Sequence, residues 1–303
     1  PYTVPPGTGE ANAGAVLHLR FDCLADGLTF TELGLDRLRL FLRGPRHLTL
    51  PLYECLMNRV THVAVAAAQD DARAARLDAR SVRPVGFARE EGMLPYPAAS
   101  FLGYRLLTEY FAFPDKFLFA DLTGLDAKTL VEAGGHLHVY VFLTGVPGDL
   151  ARAITAENFV LGCAPAVNLF RQRAEPVRLT GEESRYRIEP DSRRPESVEI
   201  WSVDGVAASD PDGTRRTYLP FYGVRHGVDP EETAFWFPTR TEAPPNRGGS
   251  EVWLSLVEPD LSPALRPGAT LSVETTCLNR NLPAKLPFGG GQPAMRLVEP
   301  AGA

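Results

Sequence analysis

The chain has 303 residues, a formal net charge of −6, and apolar and charged shares of 44% and 22%, ordinary values for a folded protein of about two domains. The acidic balance provides no basic field for nucleic-acid phosphates, and no run of ~18 apolar residues marks a membrane helix. Neither a nucleic-acid partner nor direct membrane insertion is expected. Gly and Pro number 27 each, above their usual combined share of about 12%. Turns must be frequent, which favours a β-rich chain over a helical bundle. Of 31 basic residues, all are Arg except Lys116, Lys128 and Lys285. Cys23, Cys55, Cys163 and Cys277 are too far apart for a C-x-x-C or zinc pattern and read as buried, reduced thiols.

The opening Pro1-Tyr2-Thr3-Val4-Pro5-Pro6 lacks Met and any leader-like run, so the chain is expected to be an internal piece of something longer, with an extended segment over 1–13. From Val16 to Cys23 apolar Leu17, Leu19, Phe21 and Cys23 alternate with His18, Arg20 and Asp22, the period of a half-buried strand. Arg37 to Leu42 repeats it. A helix is expected over about 49–59, with Pro51 in its first turn, then a strand from His62 to Ala68. A second helix is expected over about 100–112. Ser100 is a candidate cap, Leu102, Leu106 and Tyr110 form its apolar stripe, and Arg105 and Glu109 are spaced to pair. Pro114 stops it. Phe117 to Leu122 and His136 to Thr144 read as strands. In the second, Leu137, Val139, Val141 and Leu143 alternate with His136, His138, Tyr140 and Phe142. Residues 145–158 look like a connector. Shorter strands follow at 186–189, 197–203, 233–237, 251–257 and 271–277, with exposed loops at 207–217 and 241–250. Strands that do not alternate regularly with helices argue for a mainly β chain with a few helices (α+β), built as β-sandwich-like subdomains over 14–158 and 159–303.

Candidate chemistry is sparse. His136 and His138 share a strand face but lack a nearby third ligand. Asp115, Asp121, Glu199, Asp204 and Glu251 lie on or beside strands, where a carbohydrate-active sandwich would keep an acid and a base; such an enzyme or binding module is the alternative function. Gly289-Gly290-Gly291 lacks the Lys-Ser/Thr of a phosphate loop and reads as a turn. Tyr104, Tyr110, Phe111, Phe113, Phe117 and Phe119 cluster, and core packing at a helix–strand junction is the expected use.

Three blocks carry a family resemblance. The first runs from Gly103-Tyr104-Arg105-Leu106-Leu107-Thr108-Glu109-Tyr110 through Phe113-Pro114 to Phe117-Leu118-Phe119. The second runs from Cys163 through Pro165-Ala166-Val167-Asn168-Leu169-Phe170 to Glu175-Pro176-Val177, followed by Tyr186-Arg187-Ile188 and Val198-Glu199-Ile200-Trp201. The third is Cys277-Leu278-Asn279-Arg280-Asn281-Leu282-Pro283 and Leu286-Pro287-Phe288-Gly289. Together they closely resemble TssF (VasA/ImpG), a baseplate subunit of type VI secretion. The resemblance implies a middle segment of TssF, and a structural part of the baseplate wedge rather than an enzyme. It implies TssG, further TssF copies, TssK, TssE and the VgrG spike as partners. The place would be the cytoplasmic baseplate docked at the inner-membrane complex, supporting sheath assembly and contraction. No cofactor, metal or catalytic residue belongs to the pattern. Its motif residues are Gly103, Tyr104, Glu109, Tyr110, Phe113, Pro114, Phe117, Asn168, Asn279, Arg280 and Pro283. An Arg in an Asn-flanked loop has enough donors to pin that loop through carbonyls; an intersubunit role is the alternative for Arg280. A piece cut from a longer subunit is also expected to bare an apolar patch near Pro1–Pro6 or after Pro283.

Overall fold

The computed structural model describes residues 4–9, 12–96, 100–126, 128–130, 133–222, 234–245, 248–257 and 267–287. The chain divides into two compact units, Pro1–Val167 and Asn168–Ala303. The division falls after the 158/159 boundary read from the sequence, because the stretch at 159–160 still pairs with a strand of the first unit.

In the first unit the elements run β1 (Ala15–Asp22), β2 (Arg37–Leu42), α1 (Arg46–Asn58), β3 (Val60–Ala66), β4 (Ala75–Asp78), β5 (Val82–Pro84), α2 (Leu102–Ala112), β6 (Phe119–Thr123), β7 (His136–Leu143), α3 (Leu150–Ala153) and β8 (Phe159–Val160). They form two four-stranded sheets, ordered β1-β7-β3-β4 and β5-β6-β2-β8. The alternating residues of these strands send one row of side chains inward, as a period of two requires. Leu38, Leu42, Val63, Val65, Leu122, Val139 and Val141 meet Leu52, Cys55 and Leu56 of α1 in one core.

The sequence pattern leaves His138, Tyr140 and Phe142 on an outer face. Instead β7 is buried on both faces except at His136. Tyr140 and Phe142 pack with Ala64 and Ala66 against Val4, Ala13 and Val16, and the His62 ring bonds the Thr8 carbonyl at 2.8 Å. The described part of the N-terminal segment thus covers this face. Two helix details also differ from the reading. Pro51 lies in the second turn of α1, which starts at Arg46, so the missing N–H leaves the His47 carbonyl without its helical donor. In α2 the capping position is Phe101, with no side-chain cap bond from Ser100.

The second unit contains β9 (Phe170–Arg173), β10 (Val177–Arg178), β11 (Tyr186–Ile188), β12 (Glu199–Ser209), β13 (Arg215–Pro220), β14 (Phe235–Glu242), β15 (Ser250–Val257) and β16 (Thr270–Leu278). They make one sheet ordered β10-β16-β12-β13-β14-β15-β11, with β9 also on β16. All pairings are antiparallel except β13 with β14. The expected loop at 207–217 is in fact the β12–β13 hairpin: Ala207 and Ala208 are both buried, Ala208 in the core, and only Asp210–Gly213 turns. Ile200, Val206, Leu254, Leu256, Leu271 and Val273 centre a separate core. The mainly β, α+β class read from the sequence is what the chain adopts.

Candidate interaction surface

Helix α2 packs with its charged face inward. Arg105 and Glu109 are 3% and 2% exposed, whereas Tyr104 is 64%, Leu107 57%, Tyr110 52% and Phe111 81% exposed. Side chains at i and i+4 share a helix face, so Arg105 and Glu109 point one way and Leu107 and Phe111 the other. What holds the charged face is a set of charge-assisted hydrogen bonds, roughly twice as strong as neutral ones. Arg105 donates to the Arg89 carbonyl at 2.6 Å and the Ala88 carbonyl at 2.8 Å. Glu109 accepts from the Met93 and Leu94 amides at 2.8 and 3.0 Å and from the Lys116 ammonium. The Arg105 Nε lies 3.9 Å from Glu109, and Lys116 sits 4.9 Å from the Phe117 ring centroid.

The partner loop is itself braced, since Glu91 accepts from the Gly86 and Ala88 amides at 2.7 and 3.0 Å. Gly92 lies directly against the Arg105 guanidinium, where a Cβ would collide with it. Burial pushes the Glu109 carboxyl up, but the Leu94 amide, the Lys116 ammonium and the Met93 amide outweigh it and hold the acid below its ordinary range.

This arrangement corrects the expectation that the aromatic cluster is core. Phe117 and Phe119 are buried; Tyr104, Tyr110, Phe111 and Phe113 face outward, and Leu106 is half-buried. Tyr110 and Leu106 line an apolar groove of about 310 Å³ together with Leu50, Tyr53, Phe87 and Phe117. Gly103 is half-buried in the first turn of α2. Pro114 ends the helix, and the Phe113 amide bonds the Glu109 carbonyl at 2.8 Å before the chain turns into Pro114–Phe117.

The second-unit motif residues do different work. Arg280 has a left-handed backbone (φ 39°) and directs its guanidinium into the chain, to the Val198 carbonyl at 3.0 Å and to the Gly248 carbonyl. Glu199 accepts from the Ser250 amide at 2.9 Å and lies 4.0 Å from Arg280. Gly249, at φ 73°, backs onto both side chains and leaves no room for a Cβ. The loop after β16 therefore clamps the β14–β15 turn onto β12. Asn279 closes the loop by accepting from the Leu282 amide at 2.9 Å, and Pro283 opens a short turn. Asn168 is exposed at the start of this unit.

The remaining candidates serve structure. Asp121 takes Arg39 in a two-point pair at 2.7 and 2.8 Å, and Asp204 accepts from Ser202 and Thr276 at 2.6 Å each. Glu251 lies 3.0 Å from Arg187, and Asp115 3.8 Å from Arg46. His138 pairs with His18 at 2.9 Å, whereas His136 bonds Asp22 at 2.6 Å. Among the described residues no three His, Cys, Asp or Glu side chains gather where they could hold a metal ion, and no helix is long and apolar enough to cross a membrane. The four cysteines are free thiols; Cys55 and Cys277 are buried, whereas Cys23 and Cys163 are half-buried rather than enclosed. Gly289-Gly290-Gly291 and much of the expected terminal patch lie outside the described residues; after Pro283, Leu286 is 40% exposed.

Sequence reasoning paired Arg105 with Glu109, as found, but overlooked Lys116 and Gly92 as parts of the α2 anchor. One signal was available. Lys116 is one of three lysines among 31 basic residues, and lysine and arginine are not interchangeable in a site of fixed geometry.

Both β-rich units are stiffened by internal ion pairs, and the first presents an uncharged, aromatic helix face. The sequence matches the family described as "Type VI secretion system, TssF" over residues 1–303. It is 31% identical to the type VI secretion component TssF1 of Pseudomonas aeruginosa over 304 aligned residues, 96% of this chain and 48% of the relative. It also superposes on a chain of the TssK-TssF-TssG baseplate subcomplex with a TM-score of 0.67 and 28% identity, covering 87% of this chain and 47% of that one. The chain belongs to the TssF family, and it spans about half the length of the relatives it matches. The carbohydrate-active alternative finds no support in these relationships.

Proposed function

We propose that the chain is part of a structural subunit of the type VI secretion baseplate and acts by non-covalent assembly, without catalysis. The observation that carries this reading is the family match across the whole chain, joined by likeness to a chain of the TssK-TssF-TssG subcomplex. TssG and TssK are the first partners it implies. TssE, the VgrG spike and docking of the baseplate at the cytoplasmic side of the inner membrane follow from the same reading. The carboxylates that an enzyme would need are tied to arginines, hydroxyls and backbone amides, which suits a scaffold. The outward aromatic face of α2 supplies apolar area of the kind that marks interaction sites. Co-expression with tagged TssG and TssK tests the reading: the chain should be retained with them through purification. Loss of the chain from both partners would overturn it.

A further inference from the structure

We propose that the open edge of β1 is a strand-addition site, which takes one extended segment of a different protein, apolar at every second residue and acidic where it faces Arg20. The proposal does not rest on the baseplate reading. Sheet edges carry unpaired N–H and C=O groups that recruit further strands, and proteins blunt them by keeping them short or by placing Pro, Lys or a bulge there. Other strands that end a sheet follow this rule: β4, β5, β8, β10 and β11 have four residues or fewer. β1 does not. It ends its sheet with eight residues, contains neither Pro nor Lys, and pairs with β7 without a register shift. The ladder fixes which of its groups are free. The Cys23 amide bonds the Gly135 carbonyl at 2.9 Å, in step with the β1–β7 register. Antiparallel pairs alternate, so Leu17, Leu19 and Phe21 bond β7, while Val16, His18, Arg20 and Asp22 turn their N–H and C=O to the open edge. Among the described residues no other strand pairs with β1, and no further backbone group bonds its edge.

Side chains define the occupant. Leu17, Leu19 and Phe21 are half-buried against the core of the first unit, so this apolar row is left partly uncovered at the edge. Apolar residues facing these three, at every second position of an added strand, extend the core by one row. On the other face the Arg20 side chain is 52% exposed, and the carboxylate beside it, Asp22 at 2.8 Å, is shared with His136 at 2.6 Å. An acidic residue opposite Arg20 supplies the missing countercharge. A second copy of β1 supplies none. The two fullest antiparallel registers of β1 with another β1 through the open edge set Arg20 opposite His18 or opposite Val16.

The test uses the purified 303-residue chain and a capped synthetic peptide of eight residues, the length of β1, alternating Val with Thr and carrying one Glu placed to face Arg20. Amide exchange, followed residue by residue by NMR, should be fast at Val16, His18, Arg20 and Asp22 in the chain alone and slow once the peptide is added. Leu17, Leu19 and Phe21 should be slow throughout. Arg20→Pro removes one outward N–H, at a place where an edge strand tolerates proline, and should abolish the added protection. Arg20→Glu keeps that amide. It should weaken binding of the Glu peptide about fivefold, the scale of a cross-strand charge pair, and favour the same peptide with Lys in place of Glu. Slow exchange at all four outward amides in the chain alone would show the edge already paired, by the chain itself or by a second copy, and would overturn the proposal. So would a peptide that does not bind, one that binds without slowing those amides, or one indifferent to either variant. Retention by TssG and TssK is a separate readout: its loss, with the peptide still bound, removes the baseplate reading alone.

Discussion

Glu109 shows how a single carboxylate decides the orientation of a helix. It is 2% exposed and neutralises a lysine that has no water to turn to. Removing one partner of such a pair strands the other, at a cost of about 3–5 kcal/mol. Glu109→Gln should therefore lower the unfolding free energy by that amount in a denaturant titration of the first unit, whereas Tyr104→Ser should change it by about 0.5 kcal/mol or less, as exposed positions do. The two outcomes reversed would mean α2 is mounted the other way round. Titration adds a second readout. The Glu109 acid is held below its ordinary value near 4.5, so its contribution is present above that pH and is lost as pH falls through the lower folded value. The histidines work at milder pH. Burial, with the neighbouring His138 and Arg20, lowers the proton affinity of His18; burial and Arg20 do the same for His138. An unfolded imidazole then binds protons first, so stability should begin to fall as pH drops through about 6.5. In His138→Gln the fall between pH 7 and 5.5, followed by circular dichroism, should be visibly shallower.

Among the elements, β7 and α2 illustrate opposite failures of periodicity. Seven of the eight β7 residues are buried, although their sequence alternates, because the N-terminal segment crosses what would otherwise be a solvent face. The apolar stripe on α2 is real, but the core lies on its other side. Leu106 is only half-buried, so Leu106→Ala should cost less than Phe117→Ala, for which truncation of a buried ring implies about 3–5 kcal/mol. Thermal melts of the two variants check the order. In the second unit the Arg280 clamp makes a sharper claim. Gly249→Ala must both strain a backbone at φ 73° and displace Glu199 and Arg280, so it should destabilise by about 1–3 kcal/mol, and Gly213→Ala, whose Cβ meets open space, should cost less.

For the whole molecule, two separate cores imply two cooperative units. Calorimetry should resolve two transitions. Leu254→Ala, at a site with no exposure, should lower one of them by the equivalent of about 2–5 kcal/mol and leave the other in place. A single transition that shifts as a whole would show that the units melt together.

What was legible in the sequence is what depends on near neighbours along the chain. Strand positions such as Leu38, Leu40 and Leu42, the stop at Pro114 and the class of fold follow from side-chain alternation and from proline's missing donor. The resemblance to the family could be read from the blocks around Tyr110, Asn168 and Arg280 because each is contiguous in sequence. Which face of α2 is buried depends on groups far from its stripe: the carbonyls of Ala88 and Arg89 and the amides of Met93 and Leu94 offer Arg105 and Glu109 more than an apolar contact would. The placement of Val4 over Tyr140, and of Gly248 under Arg280, likewise joins residues more than thirty positions apart. Only the folded chain brings such partners within reach, and a buried charge is tolerable only where its partner is already waiting.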